Sequence, residues 1–261
     1  MSLVRYLALS INLCWFAAPP ARAQSAPSDD GGLALPPNFH ATIFADHLGH
    51  PRNLAAASNG VVYANTWSER YYHFDTIPED GCLIAIRAAD RNGPASEIVR
   101  FGPTAEDGNH GGTGVWVHDG YVYAETNDKI VRYKLPDNGI VPTGQAETIV
   151  SGLLLTGDHP MHPMSNDRAG DIFVDLGSAT NECQSQNRVA GVTGIEPCTE
   201  LETRGGNWRY DANKLNQTFS PAERFATGLR NSYAVSLDYR APDREVNRPS
   251  TGFVAAEISS A

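Results

Sequence analysis

One pattern recurs three times along this chain: a short apolar run, a tight turn built on glycine, and a second run whose side chains alternate in character. Residues 53–57 (NLAAA) lead through Ser58, Asn59 and Gly60 into 61–66 (VVYANT). Residues 114–117 (GVWV) lead through His118, Asp119 and Gly120 into 121–126 (YVYAET). Residues 162–166 (HPMSN) lead through Arg168, Ala169 and Gly170 into 171–175 (DIFVD). Asn-Gly and Asp-Gly between β-branched and aromatic runs are hairpin signals, because a two-residue turn needs positive φ. Each hairpin precedes two further short runs: 83–87 and 97–101, 130–134 and 147–150, 207–211 and 223–226. The repeating unit is thus four antiparallel strands, the blade of a β-propeller. Helical periodicity is almost absent, so the fold class expected is all-β.

Equivalent positions in the last strand of each unit, Ile98, Ile149 and Phe225, are 51 and 76 residues apart. The surplus in the third unit matches a polar stretch around residues 183–198, placed between its second and third strands. Residues 39–44 (FHATIF) are expected to form a lone outer strand. A fourth unit begins at Gly228 and runs to Leu237. Beyond it, Pro242 and Pro249 and a Ser-Thr-Gly stretch argue against a hairpin. The expected organisation is a signal peptide over 1–23, a polar leader over 24–34, a partial propeller over 35–239 and an irregular tail over 240–261. About three to three and a half blades are counted, where closed propellers have at least about four.

The first 23 residues carry the marks of export: Arg5, then an apolar stretch over 6–18, then Ala21-Arg22-Ala23 as an A-x-A cleavage site. The stretch is shorter than the roughly 20 residues a membrane span needs. Removing it leaves 30 acidic residues against 18 basic ones, a net charge of −12. That charge argues against nucleic acid or an anionic membrane as a partner. Cysteine usage fits an oxidising compartment, periplasmic or secreted. Cys183 and Cys198 bracket a Gly-, Pro- and Asn-containing loop and are expected to pair. Closing a loop of about 15 residues contributes about 3 kcal/mol in the chain-entropy treatment. Cys82, beside Leu83 and Ile84, reads as a buried small hydrophobe. There is no CxxCH for a c-type haem, and no CxxC or HExxH for zinc.

Polar and ring-bearing residues gather just before the innermost strand of three units: residues 109–114 (NHGGTG), 156–162 (TGDHPMH) and 229–231 (LRN). In a propeller those loops line one mouth of the central channel. They would bring His110, His159 and Arg230 to one place. Asp158 puts a carboxylate beside the His159 imidazole, and a histidine near pKa 6.5 can take a proton at neutral pH. Arg230 is permanently cationic and suits an anionic oxygen. Gly111 and Gly112 let backbone approach a flat ligand. If side chains alternate along 159–162, His162 points away from His159 and is dispensable.

Residues 157–163 (GDHPMHP), followed by 173–180 (FVDLGSAT), resemble the soluble sugar dehydrogenases that use pyrroloquinoline quinone (PQQ), and the sorbosone dehydrogenase branch most. Residues 228–231 (GLRN) resemble that family's Arg-Asn loop, and 197–204 with 208–211 are also similar to the sorbosone branch. His110-Gly-Gly stands where the family usually has Gln-Gly-Gly. The resemblance runs from about Leu35 to Asp238. It implies a six-bladed propeller holding PQQ and Ca²⁺ over the channel. It implies an oxidoreductase that removes hydride from a glucose- or sorbosone-like sugar and passes electrons to an external acceptor. On it His159 is the base, with Asp158 beside it, Arg230 polarises the quinone oxygen, and Asn231 and His110 contact the cofactor. The family's other quinone contacts and its Ca²⁺ loop come from later blades, so no metal ligand is assigned. Two other readings are a Ca²⁺-dependent propeller lactonase, which would need carboxylates and amides converging on one ion, and a propeller serving only as a binding platform.

The export signal gives a first prediction: N-terminal sequencing of protein made in an exporting host should find the chain starting near Gln24. Retention of Met1 would contradict it.

Overall fold

The computed structural model describes residues 32–67, 80–90, 93–104, 110–238 and 252–257. The expected signal peptide, most of the leader and residues 239–251 and 258–261 lie outside the described residues. The chain divides into two compact units, Met1–Ile43 and Phe44–Ala261, and the second holds every sheet.

The first sheet is an antiparallel meander of β1 (Pro51–Ala56), β2 (Val62–Thr66), β3 (Leu83–Ala88) and β4 (Ala95–Phe101). The second contains β5 (Val115–His118), β6 (Tyr121–Thr126), β7 (Lys129–Lys134) and β8 (Glu147–Ser151). The third uses β9 (Met164–Asn166), β10 (Asp171–Leu176) and β11 (Gly206–Asp211). Before its outer strand arrives, the chain lends β12 (Gln217–Thr218), parallel to β8, to the edge of the second sheet. The Gln217 amide fixes this loan by donating to the carbonyls of Ile149, Asp211 and Lys214. Then β13 (Arg224–Thr227) completes the third sheet. A fourth sheet pairs β14 (Ser232–Asp238) with β15 (Gly252–Glu257). All-β architecture in repeated four-stranded antiparallel sheets is therefore the fold, and no α-helix occurs among the described residues. No described helix is long and apolar enough to cross a membrane.

Successive sheets meet through their innermost strands: β1 lies against β5, β5 against β9, and β9 against β14. The second sheet is buried on both faces, and the period of two along β6 assigns its side chains. Val122 and Ala124 join Val61, Tyr63, Leu83 and Phe101 of the first sheet. Tyr123 points the other way, into a core with Ile172, Val174 and Trp208 of the third. Phe101 meets both Tyr63 and Tyr133 edge-on, at centroid distances of 6.2 and 5.6 Å. Cys82 is buried and unpaired by disulfide, as its apolar neighbours led us to expect, and burial pushes its thiol up to about 12.

Two expectations change. Residues 39–44 form no strand, and Phe39 is exposed. A strand there requires an edge to pair with. The Phe44 carbonyl, in the sheet-bearing unit, accepts a bond from the Ala95 amide at 2.7 Å, but no ladder extends over 39–44. The tail expected to be irregular supplies β15, because residues 252–257 (GFVAAE) lie between the prolines and the end and contain none.

The long connection between β10 and β11 is the insertion foreseen from spacing. Its disulfide joins Cys183 to Cys198 with Cα atoms 6.0 Å apart.

Trp208 is fully buried between the second and third sheets, whereas Leu54 is 63% exposed. Urea unfolding should find Trp208→Ala destabilised by about 3–5 kcal/mol and Leu54→Ala changed by less than about 0.5 kcal/mol.

Candidate functional site

Three lead-in segments, residues 110–114, 156–163 and 228–231, each run directly into an innermost strand, β5, β9 and β14. The middle one cannot be strand. Gly157 has φ +95°, and Pro160 and Pro163 lack amide protons. It therefore crosses the end of the sheet as irregular backbone and folds against the turn after β10. There Gly177 is required, since a Cβ on it would collide with the carbonyl oxygen and Cβ of His159.

That contact buries His159, which is 4% exposed. Its Nδ1 lies 2.9 Å from Ser178 Oγ and 3.2 Å from Ser178 O. The Ser178 hydroxyl already donates its proton to Thr180 O at 2.7 Å. Both atoms facing Nδ1 are therefore acceptors, which assigns the proton to Nδ1 and leaves Nε2 as the basic nitrogen. Burial holds the imidazole below the usual histidine range. The charges of Arg230 and Arg188 push the same way, against the Ser178 hydrogen bond and the Asp158 carboxylate. A base kept neutral with a defined tautomer is what proton abstraction needs.

Asp158, next to His159 in the chain, acts on the ring by its charge and is itself held by other partners. Its Oδ2 accepts from Asn187 Nδ2 and Arg188 Nε, both at 2.8 Å. Burial pushes its carboxyl up, but these two hydrogen bonds and the Arg188 charge outweigh that and hold it below the ordinary range. Asp158 thus acts on His159 through its charge, while Ser178 makes the hydrogen bonds to Nδ1. The disulfide-closed insertion reaches the site here, because Asn187 and Arg188 belong to it.

Arg230 is brought to the same turn. Its carbonyl accepts from the Ser178 amide at 2.7 Å, and its Nη1 donates to Asn181 Oδ1 at 2.6 Å. Asn231 beside it is buried. His110 is exposed, and its amide donates to Asn127 Oδ1 at 2.8 Å. The contacts that hold His159 and Arg230 together run through residues 177–188.

The strand geometry that set His162 apart from His159 is not present: residues 159–162 are not a strand, so alternation does not apply. The His162 ring is fully buried and its Nδ1 is 2.7 Å from Glu125 Oε1. Sequence reading also missed Ser178, Asn181 and Glu125, whose neighbours are far off in the chain. Only the Ser178 position, in a Gly-Ser turn after a strand, carried any signal.

A cleft of about 370 Å³ lies elsewhere, at the other ends of these strands, lined by Tyr121, Tyr123, Arg132 and Arg168 among others. Arg132 there stacks on Tyr121 at 4.1 Å and binds Glu147 at 2.7 Å. One group of three possible metal ligands occurs among the described residues, Cys183, Cys198 and Glu200. Its sulfurs are committed to the disulfide, and Glu200 accepts from Thr180.

No family model and no curated protein matches the chain. Solved structures do. The PQQ domain of a pyranose dehydrogenase from Coprinopsis cinerea, in its holo form, superposes with a TM-score of 0.55 at 14% identity, over 74% of this chain and 42% of that one. A Trichoderma reesei carbohydrate-active enzyme of family AA12 gives a TM-score of 0.53 at 16% identity, over 74% and 44%. A calcium structure of a Trichoderma reesei family AA12 enzyme gives 0.52. The chain spans less than half the length of these structures, and at such identity the likeness is one of fold.

If Ser178 fixes the tautomer, Ser178→Ala should lower the Nδ1–H population of His159 in ¹⁵N-edited NMR of the ring. An unchanged ring spectrum would show that the backbone carbonyl alone suffices.

Proposed function

We propose that this chain is part of a PQQ-dependent oxidoreductase acting on a sugar. In this reading it forms three blades and the beginning of a fourth in a six-bladed propeller, of the sorbosone type on its Gly157–Pro163 and Gly228–Asn231 motifs, in an exported protein. The observation that carries the proposal is the His159 ring: buried, with its Nδ1 facing two acceptors of Ser178, Nε2 left basic, and the charges of Arg230 and Arg188 acting on it.

The donor set suits PQQ, a flat quinone bearing carboxylates. Arg230 is half-buried with its charge felt at His159, and Arg230 and Asn231 would hold the quinone, with His110 at the mouth. PQQ when bound supplies the two-electron acceptor for hydride. The one cluster of three His, Cys, Asp or Glu side chains among the described residues is the disulfide with Glu200, and no step here relies on Ca²⁺.

The chain's own contribution is proton and charge management. Oxidising an alcohol removes a hydroxyl proton together with a carbon-bound hydride. His159 Nε2 accepts the proton, and the Ser178 bond keeps the ring turned for it. Arg230 places positive charge where negative charge builds, a role whose removal costs rate rather than fold. The external electron acceptor and sugar are small-molecule or protein partners met at the channel mouth.

The test is stopped-flow reduction of added quinone by glucose or sorbosone, with Ca²⁺ present, in a form of the protein that carries the remaining blades. His159→Ala should lower the rate about 10²–10⁴-fold with quinone binding little changed. Arg230→Ala should slow reduction and weaken quinone binding as well. Because the His159 pKa is depressed, the acid limb of kcat/KM should fall below the ordinary histidine value of about 6.5. A normal rate for His159→Ala would remove the mechanism.

A further inference from the structure

The second strand of each sheet carries a buried polar side chain at the same place. Asn65 in β2, Glu125 in β6 and Asp175 in β10 occupy the fifth position of the three repeats, and each is at most 1% exposed. Their backbones are used alike: Glu125 N donates to Gly114 O at 3.0 Å, and Asp175 N donates to Pro163 O at 2.9 Å. These carbonyls belong to the residues just before β5 and β9.

Two of the side chains, Asn65 and Glu125, reach forward to the next sheet, while Asp175 accepts from Asn207 in its own. Asn65 Nδ2 donates to Gly114 O at 2.9 Å and to Glu125 O at 2.8 Å. Glu125 is the centre of the arrangement. Its Oε2 accepts from Thr113 N at 2.7 Å, Gly114 N at 2.9 Å, Thr113 Oγ1 at 3.2 Å and, more weakly, His162 N at 3.4 Å. Its Oε1 accepts from His162 Nδ1 at 2.7 Å. Glycine makes room: a Cβ on Gly112 would enter the Glu125 side chain, and one on Gly114 would strike His162 O.

We propose that Glu125 and His162 are positioning residues for the His159 base, a latch that ties the lead-in segment of the third sheet to that of the second. This rests on the reading of His159 as the base. The two segments otherwise belong to different sheets, and the irregular backbone over 158–163 has no ladder to fix it. His159 is three residues from the latched ring. Loosening the latch admits water to His159 and shifts it from the proton of the substrate. The charged groups facing His159 are Arg230, Asp158 and Arg188. The charged group acting at Glu125 is His162; the neighbouring Cys82 thiol is neutral and is itself raised by Glu125. Glu125 is held below the usual carboxylate range: burial raises it, but the His162 charge and hydrogen bonds prevail.

The experiment uses the full chain in four variants: Glu125→Gln, His162→Ala, His162→Asn and, as control, Glu97→Gln, which alters an exposed pair with Arg87. NMR titration of the His159 ring is the first readout and needs no activity. Quinone reduction by glucose is the second. In Glu125→Gln and His162→Ala the His159 pKa should rise toward about 6.5, and kcat should fall roughly 10²-fold with KM little changed. His162→Asn offers an amide N–H in place of Nδ1–H and should restore most of both. If His162→Ala fails to fold, Glu125→Gln and His162→Asn decide alone. A His159 titration identical to wild type in folded Glu125→Gln overturns the latch. A shifted His159 in that variant, with no sugar oxidation even by a wild type carrying the remaining blades, upholds the latch and removes the functional reading instead.

Discussion

A carboxylate buried to 1% exposure organises the end of the sheets where the candidate site lies. An isolated buried charge costs several kcal/mol, so Glu125 is tolerable only with its lone pairs occupied. Two backbone amides before β5, the Thr113 hydroxyl and the His162 ring and amide occupy them. Satisfying one anion thus dictates the path of two loops in different sheets. The loop between β10 and β11 then closes over the second of them, through Gly177 and Ser178, and delivers Arg230 from the start of the fourth sheet.

The chemistry of the site follows from that closure. His159 has a defined tautomer because one turn presents it with a carbonyl and a hydroxyl whose proton is already given away. Its depressed pKa has burial as the leading cause, with the two arginines adding to it. The insertion is part of this environment. Its Asn187 and Arg188 hold Asp158, and Asn187 Oδ1 also accepts from the Asn181 amide at 2.9 Å. The disulfide therefore closes a loop that touches the site, in addition to any effect on stability.

Much of the fold was legible because a strand's two-residue period and a glycine turn are local signals. The three hairpins, their following strand pairs and the insertion all fall where spacing put them. The strand expected over 39–44 was wrong because apolar alternation says a segment can pair and cannot say that an edge is there. β12 escaped notice for the converse reason: two residues carry no period, and β12 exists because Gln217 finds carbonyls of the neighbouring sheet. That His159 and Arg230 are held at one turn was foreseen from their place in the repeat. Ser178 and Glu125 were not, since a lone serine or glutamate acquires a role only from what it faces.

By itself, then, the sequence determined the all-β class, the sheet-by-sheet order of strands and the three loops that lead into innermost strands. Those depend on side-chain periodicity and on turn residues adjacent in the chain. The tertiary structure alone decided which polar atoms meet: that Asp158 turns to Arg188, that Ser178 orients His159, and that His162 binds Glu125. Hydrogen bonds join groups that are near in space, and these partners lie 19 to 37 residues apart. No local pattern encodes such pairings. They follow from the burial that the stacked sheets impose.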